Sequence, residues 1–144
     1  MKKCTILLLI IPTILLSSFF YPTRADRLRW WFMKYDSPLV ENIDDFLNVA
    51  DEFNLDWRLL PALATQESGC GTTNIAENNN PFGYGSDEIK FYSYKAAIWY
   101  VGWQLAYGEY YQGKSLEEKL YTYNQNMGYA EKIKSIMRMI NIRE

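Results

Sequence analysis

Asp56-Trp57-Arg58-Leu59-Leu60-Pro61-Ala62-Leu63-Ala64-Thr65-Gln66-Glu67-Ser68-Gly69-Cys70-Gly71 is the stretch on which the reading of this chain turns. Residues 59–64 are apolar or small on every side, the pattern of a buried helix rather than a surface one. Pro61 is costly deep inside a helix, so the regular part starts near Leu59, with Asp56 as its cap. Gly69 supplies the left-handed terminator. Glu67 is thereby set in the last turn, where the negative end of the helix dipole favours cations. A residue that breaks a local rule without visible compensation is a candidate for function.

Outward from that helix the chain alternates helical and irregular segments. Residues 72–90 lack a helical period and are rich in Asn, Gly and Pro. Asn80-Pro81-Phe82-Gly83 has its residues where a type I turn wants them. Ile89-Lys90-Phe91-Tyr92 reads as a short strand, half of a small hairpin with Phe82-Gly83-Tyr84. Upstream, Ser37-Pro38 is a helix start, and Leu39, Ile43, Phe46, Leu47, Ala50 and Phe53 recur at helical spacing to about Asn54. The acids among them form the solvated face.

Downstream, Ser93 caps a third helix with Ala97, Ile98, Val101, Gly102, Leu105 and Ala106 inward. Trp99, Trp103 and Tyr107 form an aromatic row at steps of four, expected as core rather than as a ligand platform. Ser115-Leu116-Glu117-Glu118 is a capping box opening a helix through Tyr123-Asn124. Tyr129 to Ile142 is the last helix. The fold class is therefore mainly α, with an irregular or β-hairpin insert between the second and third helices.

The chain has 144 residues, 49% of them hydrophobic and 17% aromatic, enough for one packed domain. It contains no His, which excludes Ser-His-Asp and Cys-His catalysis and removes the commonest zinc ligand, so neither metal nor cofactor is expected. Met1-Lys2-Lys3 followed by an apolar run from Ile6 to Phe20 and by Thr23-Arg24-Ala25 matches a secretory signal over residues 1–25. An uncleaved anchor is the alternative. Either way the expected location is outside the cytoplasm, in the envelope or beyond it.

Residues 1–25 carry Lys2, Lys3 and Arg24 and no acid, so the remainder holds 12 basic and 17 acidic residues, a net charge of −5. That balance disfavours nucleic acid as a partner. Residues 26–36 are expected as a juxtamembrane or linker segment ahead of a domain at 37–144. The mixture of bases and aromatics in Asp26–Tyr35 suits a membrane interface, or else a segment packing across the domain. Cys70 is the only cysteine left if the signal is removed, so the fold must stand without a disulfide. With no base at hand, a buried apolar role is expected for it.

The run Asp56–Gly69, ending Glu67-Ser68-Gly69, resembles the catalytic helix of the lysozyme-like superfamily. Asn79-Asn80-Pro81-Phe82-Gly83 looks like the Asn-x-Phe-Gly signature of its bacterial glucosaminidase branch, the mannosyl-glycoprotein endo-β-N-acetylglucosaminidase-like family. Tyr123-Asn124 and Tyr129-Ala130 are similar to the Tyr-Asn element that soluble lytic transglycosylases carry opposite their Glu. The likeness spans Ser37 to Ile140. Cys70 departs from it, standing where the glucosaminidases have an aromatic residue, which is expected to alter the cleft floor.

The resemblance implies cleavage of the β-1,4 bond between GlcNAc and MurNAc in peptidoglycan, with Glu67 as general acid; the chain is expected to act as a monomer. Such an acid works when its surroundings favour the protonated carboxyl, as an apolar helix and a helix carboxyl end do. Asp87 and Glu88 are the candidates for a second carboxylate, or they are surface loop charge. Without them, the N-acetyl group of the substrate would assist, or a MurNAc 6-hydroxyl would attack as in lytic transglycosylases. Tyr123 is expected to hydrogen-bond near Glu67 or the substrate and Asn124 to cap the adjoining loop, or both to be ordinary helix-end packing. Asn80, Phe82 and Tyr84 are the other supporting candidates, with Phe82 equally a turn anchor. Ser68 is expected as a helix-end hydrogen-bonder rather than a nucleophile. Two further classes stay open: a non-catalytic glycan-binding module of the envelope, and a membrane-anchored interaction protein using Trp30-Trp31-Phe32.

Overall fold

A computed structural model describes residues 21–73, 78–85 and 89–142. Most of the expected export signal lies outside those residues, as do Asp87 and Glu88. Among the described residues the elements follow in the order α1 (Arg24–Lys34), the 3-10 turn η1 (Pro38–Asn42), α2 (Ile43–Glu52), α3 (Leu59–Ser68), α4 (Tyr94–Tyr107), α5 (Leu116–Tyr123) and α6 (Tyr129–Asn141). The mainly helical class holds, and among the described residues none is in a strand.

Helix α3 is the axis of the packing. Leu59, Leu60, Ala62, Leu63 and Ala64 are all buried, and its longest flank lies against α6. Pro61 sits in the first turn, where the missing N–H has no intrahelical partner to lose. On the other side of the core α2 packs on α4, and Gly102 is what allows the approach: a Cβ there would lie 2.2 Å from Val49 Cγ1. The caps expected at Ser37, Ser93 and Ser115 are all made, the last as a full capping box with Glu118.

Residues 26–36, read from sequence as a linker or a packing segment, form most of α1 and pack. Thr23 and Asp26 close a capping box at its start, so Ala25 lies in its first turn. Leu28, Trp31 and Phe32 are buried, and Phe32 stands 5.2 Å from Phe46 between ring centroids. Two of the three aromatics in Trp30-Trp31-Phe32 are thus spent on the core.

The hairpin expected between 82–84 and 89–92 does not form. Gly83 and Gly85 both take positive φ, +56° and +71°, which breaks extension on the first side. The ties to the second side are the backbone bond from Phe91 N–H to the Asn78 carbonyl and bonds from the Asn79 and Asn80 amides to the Phe91 and Ile89 carbonyls. Asparagine side chains have taken the place of a ladder. The helix expected from Pro38 begins as η1 and becomes α-helical only at Ile43. The aromatic row of α4, expected as core, is core only in part: Trp99 packs against it, while Trp103 is 46% and Tyr107 49% exposed.

Candidate active site

Helix α3 ends as its sequence demands, with Gly69 left-handed at φ +57°. The left-handed run then continues through Cys70 at φ +62° and Gly71 at φ +79°. A non-glycine residue in that region is costly, and glycines on either side make the reversal feasible. Ser68 holds the reversal together. Its hydroxyl lies 2.7 Å from the Pro81 carbonyl and 3.0 Å from that of Ala64, and accepts from Gly71 N–H at 2.8 Å. The end of α3 is in this way stapled to the Asn80–Gly83 turn, so the helix-end role expected of Ser68 is what its contacts describe.

That staple brings the turn against Glu67. A Cβ on Gly83 would be 3.5 Å from Glu67 Oε2 and 3.8 Å from its Cβ. From the far side Tyr129, at the start of α6, donates its hydroxyl proton to Glu67 Oε1 at 2.5 Å. Burial, and then the Glu67 carboxylate beside it, hold the Tyr129 phenol well above its ordinary range. Tyr123 stacks on Tyr129 with centroids 6.2 Å apart and planes 10° from parallel. Burial raises its pKa as well, followed by the charges of Tyr129 and Glu67. Its hydroxyl donates to the Phe82 carbonyl at 2.6 Å rather than to Glu67.

An open cleft of about 220 Å³ lies beside this group, lined by Gly83, Tyr84, Gly85, Tyr111 and Tyr123. Tyr84 faces Tyr123 at 6.0 Å and Tyr100 at 5.8 Å. Burial, with Tyr84 nearby, pushes Tyr111 up to about 12. These phenols therefore remain neutral hydroxyls, able both to donate and to accept. A separate apolar groove of about 240 Å³, between α1 and the end of α6 beside Trp30 and Ile142, shares no residue with this cleft.

The remaining candidates divide clearly. Asn80 is 1% exposed and spent internally: its Oδ1 accepts from Tyr84 N–H at 3.1 Å and its amide donates to the Tyr84 carbonyl at 3.0 Å. Phe82 is fully buried edge-on to Phe46, so of its two readings it is the turn anchor. Asn124 accepts from Asn126 N–H at 3.0 Å and closes the loop after α5. Tyr84 is half-exposed at the cleft. Cys70 is wholly buried, with its sulfur 3.1 Å from Thr65 Oγ1, so it forms no part of a cleft floor. Burial pushes its thiol up to about 11, the inert buried role expected.

Sequence reasoning placed Tyr129 within a motif but gave it no contact, and it missed Tyr111. The first had a signal in its spacing from Tyr123. The second, in the connection after α4, had none. No protein-family model, no curated protein and no solved structure matches this chain.

Proposed function

We propose that the chain is a lysozyme-like glycosidase of the bacterial cell envelope, cutting the β-1,4 bond between GlcNAc and MurNAc with Glu67 as general acid. The observation that carries the reading is the clamp on that carboxyl. Oε1 accepts from Tyr129, and Oε2 is the oxygen beside Gly83, a residue that lines the neighbouring cleft. In the proposed reaction Oε2 gives its proton to the glycosidic oxygen as the bond to the anomeric carbon breaks, and Tyr129 steadies the carboxylate left behind. The neutral phenols of Tyr84, Tyr111 and Tyr123 offer hydroxyls and ring faces of the kind sugars bind.

The attacking group at the anomeric carbon is water, the N-acetyl oxygen of the substrate, or a MurNAc 6-hydroxyl. The last makes a lytic transglycosylase, and the placing of Tyr129 on Glu67 favours it as the second reading, since the family resemblance puts a tyrosine opposite the acid there. The export pattern of residues 1–25 supports a location outside the cytoplasm, and we take the enzyme to act as a monomer.

The test is digestion of purified cell walls by the chain and by Glu67→Gln, with released fragments identified by mass spectrometry. Reducing GlcNAc ends are expected of a glucosaminidase, and anhydro-MurNAc ends mark the transglycosylase. Release by the Gln variant at the rate of the parent would refute the role of Glu67, and binding without release by either would leave a glycan-binding module.

A further inference from the structure

Helix α4 is apolar on two faces. Ala97, Ile98, Val101, Gly102 and Leu105 fill the core, as any helix of a small domain requires. The opposite face carries Trp99, Tyr100, Trp103, Gln104 and Tyr107, where a solvated helix would place charges. Tyr100 is 42% exposed, and Trp103 and Tyr107 are more so. Large rings gathered on one exposed face mark a binding surface rather than scattered surface residues.

Trp99, Tyr100 and Tyr107 are held in place. Phe53 meets Trp99 at 5.7 Å and Tyr107 at 5.8 Å, both edge-on. Tyr100 accepts a hydrogen bond from the Gln104 amide at 2.9 Å and lies 5.5 Å from Phe91. Rings fixed in this way lose little freedom when a ligand settles on them. The face is also continuous with the cleft. From Tyr129, the partner of Glu67, ring follows ring through Tyr123 and Tyr84 to Tyr100, in steps of 6.2, 6.0 and 5.8 Å.

Chemistry narrows the occupant. The outward residues carry no charge, and the cation at the flank, Lys95, is paired with Asp45. A phosphate backbone or an anionic lipid surface finds nothing to attract it there. A neutral ligand with flat C–H faces and peripheral hydroxyls fits, since the faces stack on rings while Gln104 and the phenols meet the hydroxyls. We propose that Tyr100, Trp103 and Tyr107 form a distal stacking surface for a pyranose chain, continuous through Tyr84 with the Glu67 cleft. The identity of that chain as a wall glycan rests on the reading of Glu67 given above; the surface itself does not.

The experiment measures binding of GlcNAc oligosaccharides, a disaccharide and a hexasaccharide, by titration calorimetry in the Glu67→Gln background, with and without Trp103→Ala. Loss of one stacked ring is expected to weaken the hexasaccharide about tenfold. The disaccharide should lose far less, and Trp103→Phe should recover most of the hexasaccharide affinity. Thermal melting of each variant shows whether it is folded, and Tyr107→Ala serves if Trp103→Ala is not. Equal losses at both lengths, or none, overturn the proposal. So does a dimer in sedimentation that Trp103→Ala dissociates, which would make the face a contact between copies. A length-dependent loss in a protein whose parent chain releases no wall fragments upholds the surface while refuting catalysis by Glu67.

Discussion

Ser68→Ala is the sharpest test of how the candidate site is held. Ser68 is 1% exposed and its hydroxyl serves three neighbours. Its loss leaves the Ala64 carbonyl satisfied, because Cys70 N–H already donates to it at 3.0 Å. Gly71 N–H and the Pro81 carbonyl lose their bonds to Ser68. Each buried group left unmet costs about 1–3 kcal/mol, so a destabilisation of about 2–4 kcal/mol is expected after partial relaxation. For a chain of this size that corresponds to a fall of about 10 °C in Tm, read by calorimetry. The turn at 80–83 also loses its anchor on α3, so Gly83 drifts from Glu67. A displacement of that kind is expected to lower wall-fragment release about ten- to a hundredfold at a temperature where the variant is folded. An unchanged Tm would refute the staple. Complete loss of release with an unchanged Tm would make Ser68 a participant in the chemistry instead.

Three further outcomes follow from the geometry. Gly102→Ala drives a methyl into Val49, and overpacking of about 1–3 kcal/mol should lower the urea midpoint, with Val49→Ala in the same chain restoring part of it. Gly83→Ala forces a side chain into the left-handed region at about 1–2 kcal/mol and sets a methyl 3.5 Å from Glu67 Oε2, so kcat should fall by more than the stability loss explains; equal stability and kcat losses would argue against an open approach to Oε2. Asp45 gives a pH signature. Burial works against its charge, but bonds from Asn42, Lys95 and Trp99 outweigh it and lower its pKa. Its contribution is therefore present above the unfolded value of about 3.9 and lost as pH falls through the lower folded one. Asp45→Asn should flatten the acid limb of a Tm-against-pH curve, and an unaltered limb would show that the pairing contributes nothing.

The helices were legible because their signals are local. Ser37, Ser93 and Ser115 cap, Gly69 terminates, and the apolar periods of α2 and α6 select their inward faces from neighbours within a few residues. Glu67 was singled out for a similar reason, since its conflict with the end of its own helix can be read without a fold. The hairpin failed because pairing is a tertiary matter: asparagine side chains satisfied the backbone that a strand would have used. Residues 26–36 read equally as a linker, a membrane-interface segment or a packing segment because bases and aromatics mixed together hide an inward stripe of Leu28, Trp31 and Phe32.

By itself, then, the sequence determined a helical chain with one carboxylate placed against the rules at the end of a buried helix. Only the tertiary structure decided what surrounds that carboxylate. Tyr129 arrives from 62 residues away. Gly83 arrives because Ser68 reaches Pro81, 13 residues on. Tyr111 reaches the cleft from a connection with no pattern of its own. The same limit applies to α4, where equal spacing describes a core row and a surface row alike. Caps, termini and periodicity act within a turn or two of chain. A partner for a side chain depends on which helices meet, and that is settled by how all the apolar faces are buried at once.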